Sequence, residues 1–105
     1  MARLEDKVAL ITGAGAGIGR VAALLFAEEG AAVVVAEVNV ETGSDVVAEI
    51  ESRGGRALFV PVDVSEPDQV EAAVAQCIAA FGGLDIVYNN AGGATPNDGK
   101  VTEIP

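Results

Sequence analysis

The chain has 105 residues, enough for one domain, and half of them are hydrophobic while only 4% are aromatic, a composition typical of parallel strands covered by helices. The formal net charge of −10 argues against nucleic acids and anionic membranes as partners because it repels both. A lone cysteine excludes an intrachain disulfide, and no apolar run has the length of a membrane span or resembles a signal peptide, so we expect a cytoplasmic protein.

Two strand–helix units fill the first half of the chain. Continuously apolar runs predict strands over 7–11 and 32–36, of the kind that helices cover on both faces. Helical spacing predicts a first helix over 17–29 and a second one that Asn39 caps and Gly43 weakens. The residues expected on the buried faces are Ile18, Ala22, Leu25 and Phe26 in the first helix, and Val46, Val47 and Ile50 in the second.

The second half repeats the pattern. A third strand is predicted over 57–60 and a fourth over 84–88. Between them, the run from Ser65 to Asp68 has the spacing of a capping box and predicts the start of a third helix that ends near Phe81. Its apolar stripe comprises Val70, Ala73, Val74, Cys77, Ile78 and Phe81, which makes Cys77 a core residue and not a nucleophile.

Strands and helices in strict alternation predict an α/β fold. Short connections and right-handed crossovers give a parallel sheet in the order 3-2-1-4 between two layers of helices, the Rossmann-type doubly wound architecture. The direction of winding reverses between strands 1 and 4. Sheets of this kind bind ligands in the crevice at that point.

A glycine-rich turn follows the first strand at this crevice. Gly13 permits a sharp exit from the strand, Gly17 lets an anion approach the backbone, and Gly19 lets the next helix pack near the sheet. The N–H groups of the first helical turn and the positive end of the helix dipole then face the anion. The stretch predicts a phosphate site that needs no basic side chain.

Spacing distinguishes among glycine-rich motifs. The pattern Gly-x-Gly-x-x-Gly fails at Ile18 or at Arg20, and a P-loop would need a lysine that is not there. Thr-Gly-x-x-x-Gly-x-Gly fits over 12–19, and in this the chain resembles the short-chain dehydrogenase/reductase family. The alternative is a glycine-rich turn with no chemical role. By the resemblance, the cofactor-binding residues of this stretch are Thr12, Gly13, Ala16, Gly17, Ile18 and Gly19.

Glu37 ends the second strand, about 20 residues beyond the glycine turn, where a carboxylate accepts hydrogen bonds from the adenosine ribose. The same charge would repel a 2′-phosphate. Neither Ala16 nor Val38 is basic and able to compensate, so NAD is favoured over NADP as the cofactor. The alternative is an ordinary carboxylate at the end of a strand.

Two further segments match the family. By the resemblance, Asp63 accepts from the adenine amino group and Val64 packs beside the ring, although Asp before a helix is also common turn chemistry. The run Asn89-Asn90-Ala91-Gly92 matches a second family signature. There the resemblance implies that Asn90, Ala91 and Gly92 line the ribose side of the cofactor.

Family chemistry depends on a serine and on Tyr-x-x-x-Lys, and neither is recognisable here. Gly92 stands four residues after Tyr88, so Tyr88 is expected to be a strand residue. We assign no catalytic residue and no metal ligand. The resemblance implies an oxidoreductase that oxidises secondary alcohols or reduces ketones, of which residues 1–105 would be a single, incomplete dinucleotide-binding domain. The alternative is a complete, non-catalytic NAD-binding or interaction module.

This expected truncation predicts that the fourth strand lies at the edge of the sheet. Without an outer neighbour, that strand would leave unpaired backbone groups beside Ile86 and Val87. We therefore expect a homo-oligomer or pairing of chains through this edge.

Overall fold

Three strand–helix units and two further strands make up the chain in a computed structural model, which describes residues 4–13, 17–63, 65–89 and 100–103. None of the helices in these ranges is long and apolar enough to cross a membrane. The elements are β1 (Val8–Thr12), α1 (Gly17–Glu28), β2 (Ala32–Glu37), α2 (Val40–Ser52), β3 (Arg56–Pro61), α3 (Pro67–Phe81), β4 (Ile86–Asn89) and β5 (Lys100–Glu103).

The strands form one sheet in the order β3-β2-β1-β4-β5. β1 lies in the centre and is parallel to both neighbours, with Leu10 opposite Val34 of β2 and opposite Val87 of β4. β2 is also parallel to β3. The predicted order 3-2-1-4 is confirmed, and the winding reverses at β1 as expected.

β5 corrects the prediction for the outer edge of β4. It pairs antiparallel with β4, so that Ile86 lies opposite Glu103 and Asn89 opposite Lys100. The expected unpaired edge beside Ile86 and Val87 is wrong, because the chain is back beside β4 by residue 100 and supplies ladder partners there.

Alternate residues of the strands supply two cores, one on each face of the sheet. α3 covers one face and α1 and α2 cover the other. The buried residues of the α3 side are Val8, Leu10, Ala32, Val34, Ala36, Val60, Val62, Ala73 and Cys77. Those of the α1 and α2 side are Ile11, Ala22, Ala23, Ala31, Val33, Val35, Val46 and Ile50.

The buried face of α1 differs from the prediction. Ile18 and Leu25 are 68% and 52% exposed, whereas Ala22 and Ala23 are buried and Phe26 packs at the margin of the core. Small residues therefore form the contact of α1 with the sheet, because they let the helix axis lie close to the strands. In α2 the predicted face is confirmed, and in α3 only Ile78, at 49%, is exposed among the predicted stripe.

Of the two predicted helix caps, one is confirmed and the other is wrong. Asn39 is the N-cap of α2 as predicted, and its Oδ1 accepts from the Thr42 N–H at 3.1 Å. The predicted capping box at Ser65 is wrong. α3 begins at Pro67 after Glu66, which makes no side-chain cap hydrogen bond, and Ser65 donates to Asp63 instead.

Candidate functional site

The turn between β1 and α1 requires glycine at two positions. Gly13 follows β1 with φ 62°, and its N–H donates to the Ala36 carbonyl at 2.9 Å. Gly17 begins α1 with φ 59°, although a Cβ there would meet nothing within 4 Å. Both positions favour glycine because residues with a side chain rarely adopt this left-handed backbone conformation. β1 ends at Thr12 and α1 begins at Gly17, as the predicted strand-to-helix bend requires, while residues 14–16, Ala16 among them, lie outside the described residues.

The start of α1 is open to solvent at this bend. Gly17 and Ile18 are exposed, while Gly19 is buried against the sheet. The first turn of α1 contains no acidic side chain that would offset the positive end of the helix dipole. An anion can therefore approach the first N–H groups of the helix from solvent.

Glu37 is held at the same edge of the sheet. β1 and β2 pair so that Thr12 lies opposite Ala36, which places Glu37 one residue beyond the end of β1. The Glu37 Oε2 accepts from the Asn39 backbone N–H at 2.9 Å. This hydrogen bond ties the carboxylate to Asn39, the N-cap residue of α2.

Asp63 follows β3 and makes local turn contacts. Its Oδ1 accepts from the Ser65 hydroxyl at 2.6 Å and from the Ser65 N–H at 3.0 Å, and its own N–H donates to the Gln69 Oε1 at 2.8 Å. The hydroxyl first, and the N–H second, lower the pKa of Asp63. These contacts match the turn alternative, while an adenine contact stays a prediction. Val64 lies outside the described residues.

The end of β4 completes the edge. Thr12 lies opposite Asn89, and the Thr12 hydroxyl donates to the Tyr88 carbonyl at 3.5 Å. The Tyr88 ring contacts Phe26 edge-on, with ring centroids 6.1 Å apart, so Tyr88 is a packing residue of the strand as expected. The predicted contacts Asn90, Ala91 and Gly92 lie outside the described residues.

The structure thus brings Thr12, Gly13, Gly17 and Glu37 to neighbouring strand ends, with Asp63 beyond them at the end of β3. Among the described residues no group of three or more His, Cys, Asp or Glu side chains could hold a metal ion. This edge is suited to a ligand that carries an anionic group and neighbouring hydroxyls.

The sequence analysis did not predict that Gly43 lies beside Glu37. Gly43 is buried in α2, and a Cβ there would lie 3.2 Å from the Glu37 Cβ. Its only signal in the sequence is a glycine inside a helix, which local propensity disfavours.

A cavity of about 410 Å³ lies between α1 and α2 but is remote from this edge. Its lining comes from the last turns of both helices and the residues that follow α2. It therefore lies at the opposite end of the sheet from Glu37. The lining residues are Leu24, Ala27, Glu28, Ile50, Arg53, Gly54 and Gly55.

Comparison with known proteins gives consistent matches. A family model described as short chain dehydrogenase matches residues 7–104. The cyclohexanol dehydrogenase of Acinetobacter sp. (strain SE19) is 46% identical over 90 residues, which cover 86% of this chain and 36% of that enzyme. The 7alpha-hydroxysteroid dehydrogenase of Escherichia coli (strain K12) is 44% identical over 94 residues, which cover 90% of this chain and 37% of that enzyme.

Solved structures agree with these sequence matches. A 7alpha-hydroxysteroid dehydrogenase complexed with NADH and 7-oxo glycochenodeoxycholic acid matches with a TM-score of 0.86 at 43% identity, over 90% of this chain and 37% of that one. A hydroxysteroid dehydrogenase from Escherichia coli matches with a TM-score of 0.85 at 43% identity, over 90% of this chain and 40% of that one. The chain spans little more than a third of the length of the relatives it matches.

Proposed function

Because the chain belongs to the short-chain dehydrogenase family, whose members are oxidoreductases, we propose that it holds the adenosine diphosphate part of NAD(H) at the carboxyl ends of β1 and β2. The observation that carries this proposal is the pair of left-handed glycines, Gly13 and Gly17, at the bend from β1 into α1. The open start of α1 suits the diphosphate, and Glu37 is fixed beside it.

Each residue has a distinct part in this proposal. The bend and the first turn of α1 bind the diphosphate through backbone N–H groups. Glu37 accepts from the hydroxyls of the adenosine ribose. Asp63 and Val64 hold the adenine, and the segment after β4 lines the ribose side of the cofactor. The complete set is Thr12, Gly13, Ala16, Gly17, Ile18, Gly19, Glu37, Asp63, Val64, Asn90, Ala91 and Gly92.

The proposed reaction is oxidation of a secondary alcohol or reduction of a ketone. When bound, the nicotinamide cofactor supplies or accepts the hydride. The residues of this chain bind and orient the cofactor, and none of them is assigned to proton transfer. The names of the relatives, which are dehydrogenases of cyclohexanol and of hydroxysteroids, support an alcohol or ketone substrate.

NAD(H) is preferred to NADP(H) in this proposal. A carboxylate at Glu37 would repel a 2′-phosphate, whereas it can accept from a free 2′-hydroxyl. Its orientation by the Asn39 N–H keeps the charge at this edge of the sheet. The NADH present in the structure of the hydroxysteroid dehydrogenase supports the same choice.

A reducing, cytoplasmic location is also part of the proposal. Cys77 is fully buried, so its thiol packs as a small apolar group, and the acidic composition gives no affinity for anionic surfaces.

Titration calorimetry with NADH and NADPH tests the function and the cofactor preference together. We expect NADH to bind more tightly, and Glu37→Gln to lower NADH affinity about tenfold because a charge-assisted hydrogen bond is lost. Glu41→Gln, which removes an exposed carboxylate from the first turn of α2, is the matched control and should bind like the unaltered chain.

Two outcomes would contradict the proposal. Absence of NADH binding would overturn the nucleotide site itself. Tighter binding of NADPH than of NADH would overturn the role of Glu37. A turnover assay of the 105 residues with a secondary alcohol should show no activity, since no catalytic residue is assigned to them, and measurable dehydrogenase activity would overturn that assignment.

A further inference from the structure

Gly43 occupies a helical position that local preference does not explain. It lies in the fourth position of α2, it is buried, and its N–H donates to the Asn39 carbonyl at 3.0 Å. A glycine inside a helix costs about 0.5–1 kcal/mol relative to alanine. Its φ lies in the ordinary helical range and not among the left-handed glycines, so the reason for glycine here is space.

The space above Gly43 is filled by Phe59. A Cβ at Gly43 would collide with the Phe59 Cε1 and lie 2.6 Å from its Cδ1. It would also lie 3.2 Å from the Glu37 Cβ. The Phe59 ring is partly buried and packs against the core beneath α1 and α2, so turning it away would remove its contacts with that core.

Phe59 and Glu37 are neighbours on one face of the sheet. Phe59 lies opposite Val35 in the pairing of β2 with β3, and Glu37 lies two residues beyond Val35 on the same face. The first turns of α2 therefore rest on both side chains at once. Gly43 is the point at which the helix backbone approaches them.

The same turns carry the donor that holds the carboxylate. Asn39 caps α2, accepts from the Gly43 and Thr42 N–H groups, and donates its own N–H to the Glu37 Oε2 at 2.9 Å. A displacement of the helix start would therefore move this donor relative to β2.

We propose that Gly43 is a positioning residue for cofactor selection. Its missing side chain lets α2 rest on Phe59 and Glu37, which places the Asn39 N–H against the carboxylate that meets the adenosine ribose. This inference rests on the proposed function of Glu37 and adds to it a residue that touches no cofactor atom. The specificity of the site then depends on the contact between α2 and β3.

The test compares the ratio of NADH to NADPH affinity in single and double variants. Gly43→Ala should lower NADH affinity about tenfold, the equivalent of one good hydrogen bond, and NADPH affinity much less. Gly43→Ala combined with Phe59→Val, which has no atom beyond Cγ, makes room for the new methyl group and should recover the ratio. Phe59→Val alone is the reference for the double variant.

Gly83→Ala is the matched control, because a Cβ at Gly83 would meet nothing within 4 Å. It should leave the affinity ratio unchanged. The amide chemical shift of Asn39 provides a second readout, which should move in Gly43→Ala and return in the double variant. If Gly43→Ala does not fold, the double variant decides between the outcomes. A folded double variant with the same NADH to NADPH affinity ratio as Phe59→Val supports the proposal. A folded double variant that has lost this ratio overturns the proposal.

The two proposals fail in different ways. If the unaltered chain binds no NADH, the proposed function is overturned, and the role of Gly43 with it. If the unaltered chain prefers NADH and Glu37→Gln weakens that preference, but folded Gly43→Ala keeps both the ratio and the Asn39 shift, only the role of Gly43 is overturned.

Discussion

Val8 and Asp85 exchange two hydrogen bonds where the central strand meets the approach to β4. The Val8 N–H donates to the Asp85 Oδ2 at 2.8 Å, and the Asp85 N–H donates to the Val8 carbonyl at 2.9 Å. Val8 is 6% exposed, so water has little access to its N–H. A side-chain carboxylate thus takes the place of a strand partner one residue before β4 begins.

Replacing Asp85 by alanine should destabilise the fold by about 1–3 kcal/mol, because the buried Val8 N–H loses its acceptor. Urea unfolding measures the loss. Asp85→Asn keeps a side-chain oxygen at this position and should recover part of it. Asp45→Ala, which removes an exposed carboxylate from α2, should change the free energy of unfolding by less than about 0.5 kcal/mol. A stability of Asp85→Ala equal to that of Asp45→Ala would contradict the prediction.

Cys77 should be unreactive in the folded chain. It is fully buried and its Sγ donates to the Gly83 carbonyl at 3.7 Å. Burial, and secondarily the charge of Asp85, raise the pKa of the Cys77 thiol to about 11, so little thiolate forms at neutral pH. A thiol-specific disulfide reagent at pH 8 should react only after denaturant is added. Rapid reaction without denaturant would show that the α3 core opens.

The same thiol makes stability depend on pH in the alkaline range. In the unfolded chain the pKa of Cys77 returns toward its ordinary value near 9.0, so between these values the unfolded state loses its proton first. The contribution of Cys77 to stability is therefore complete below about pH 9 and is lost as the pH rises through 11. The difference in unfolding free energy between the unaltered chain and Cys77→Ala should fall over this interval, and a constant difference would refute it.

Ser65→Ala should raise the pKa of Asp63, because it removes the hydroxyl that is the larger of the two causes of the low pKa and leaves only the Ser65 backbone N–H. The carboxyl carbon shift of Asp63, followed by NMR against pH, measures this. Ser65→Thr retains the hydroxyl and should keep the low pKa. Since the folded-state pKa of Asp63 is depressed, its small contribution to stability is present above the unfolded-state pKa and is lost as the pH falls through the folded-state pKa.

Asn39→Ala should destabilise the chain by about 1 kcal/mol, the usual cost of losing an N-cap acceptor. Thermal or urea unfolding measures this, with Asn39→Asp as the variant that still accepts from the Thr42 N–H. The bond to Glu37 comes from the Asn39 backbone and not from its side chain. Loss of stability without loss of the NADH preference is therefore the expected combination.

Sequence patterns were sufficient for the order of the first four strands but not for β5. The apolar runs that become β1 and β2 contain no alternation, and such runs suit strands covered on both faces. Alternation with helices then left only right-handed crossovers, which fix the order. The bend at Gly13 and Gly17 could also be predicted from the sequence, because glycine is the residue that most readily adopts a left-handed backbone conformation.

Features set by packing were not accessible in this way. Apolar periodicity placed Ile18 and Leu25 on the inner face of α1 beside Ala22, whereas the structure buries Ala22 and Ala23 and leaves the two larger residues exposed. The sequence indicated only that Gly43 weakens the helix. The reason for glycine there is the close approach of Phe59 from β3, which leaves no room for a side chain. In the site, Glu37 could be placed from its position in β2, but its link to the Asn39 N–H depends on the helix start.

The pairing of β1 with β4 has a consequence for how the chain folds. Val8 and Asp85 are 77 positions apart. By contrast, α1 joins β1 to β2 and α2 joins β2 to β3 over short stretches of chain. Closing so large a loop costs entropy before any contact compensates for it. We expect the β1–β2–β3 half to assemble first and the seam between β1 and β4 to limit the folding rate.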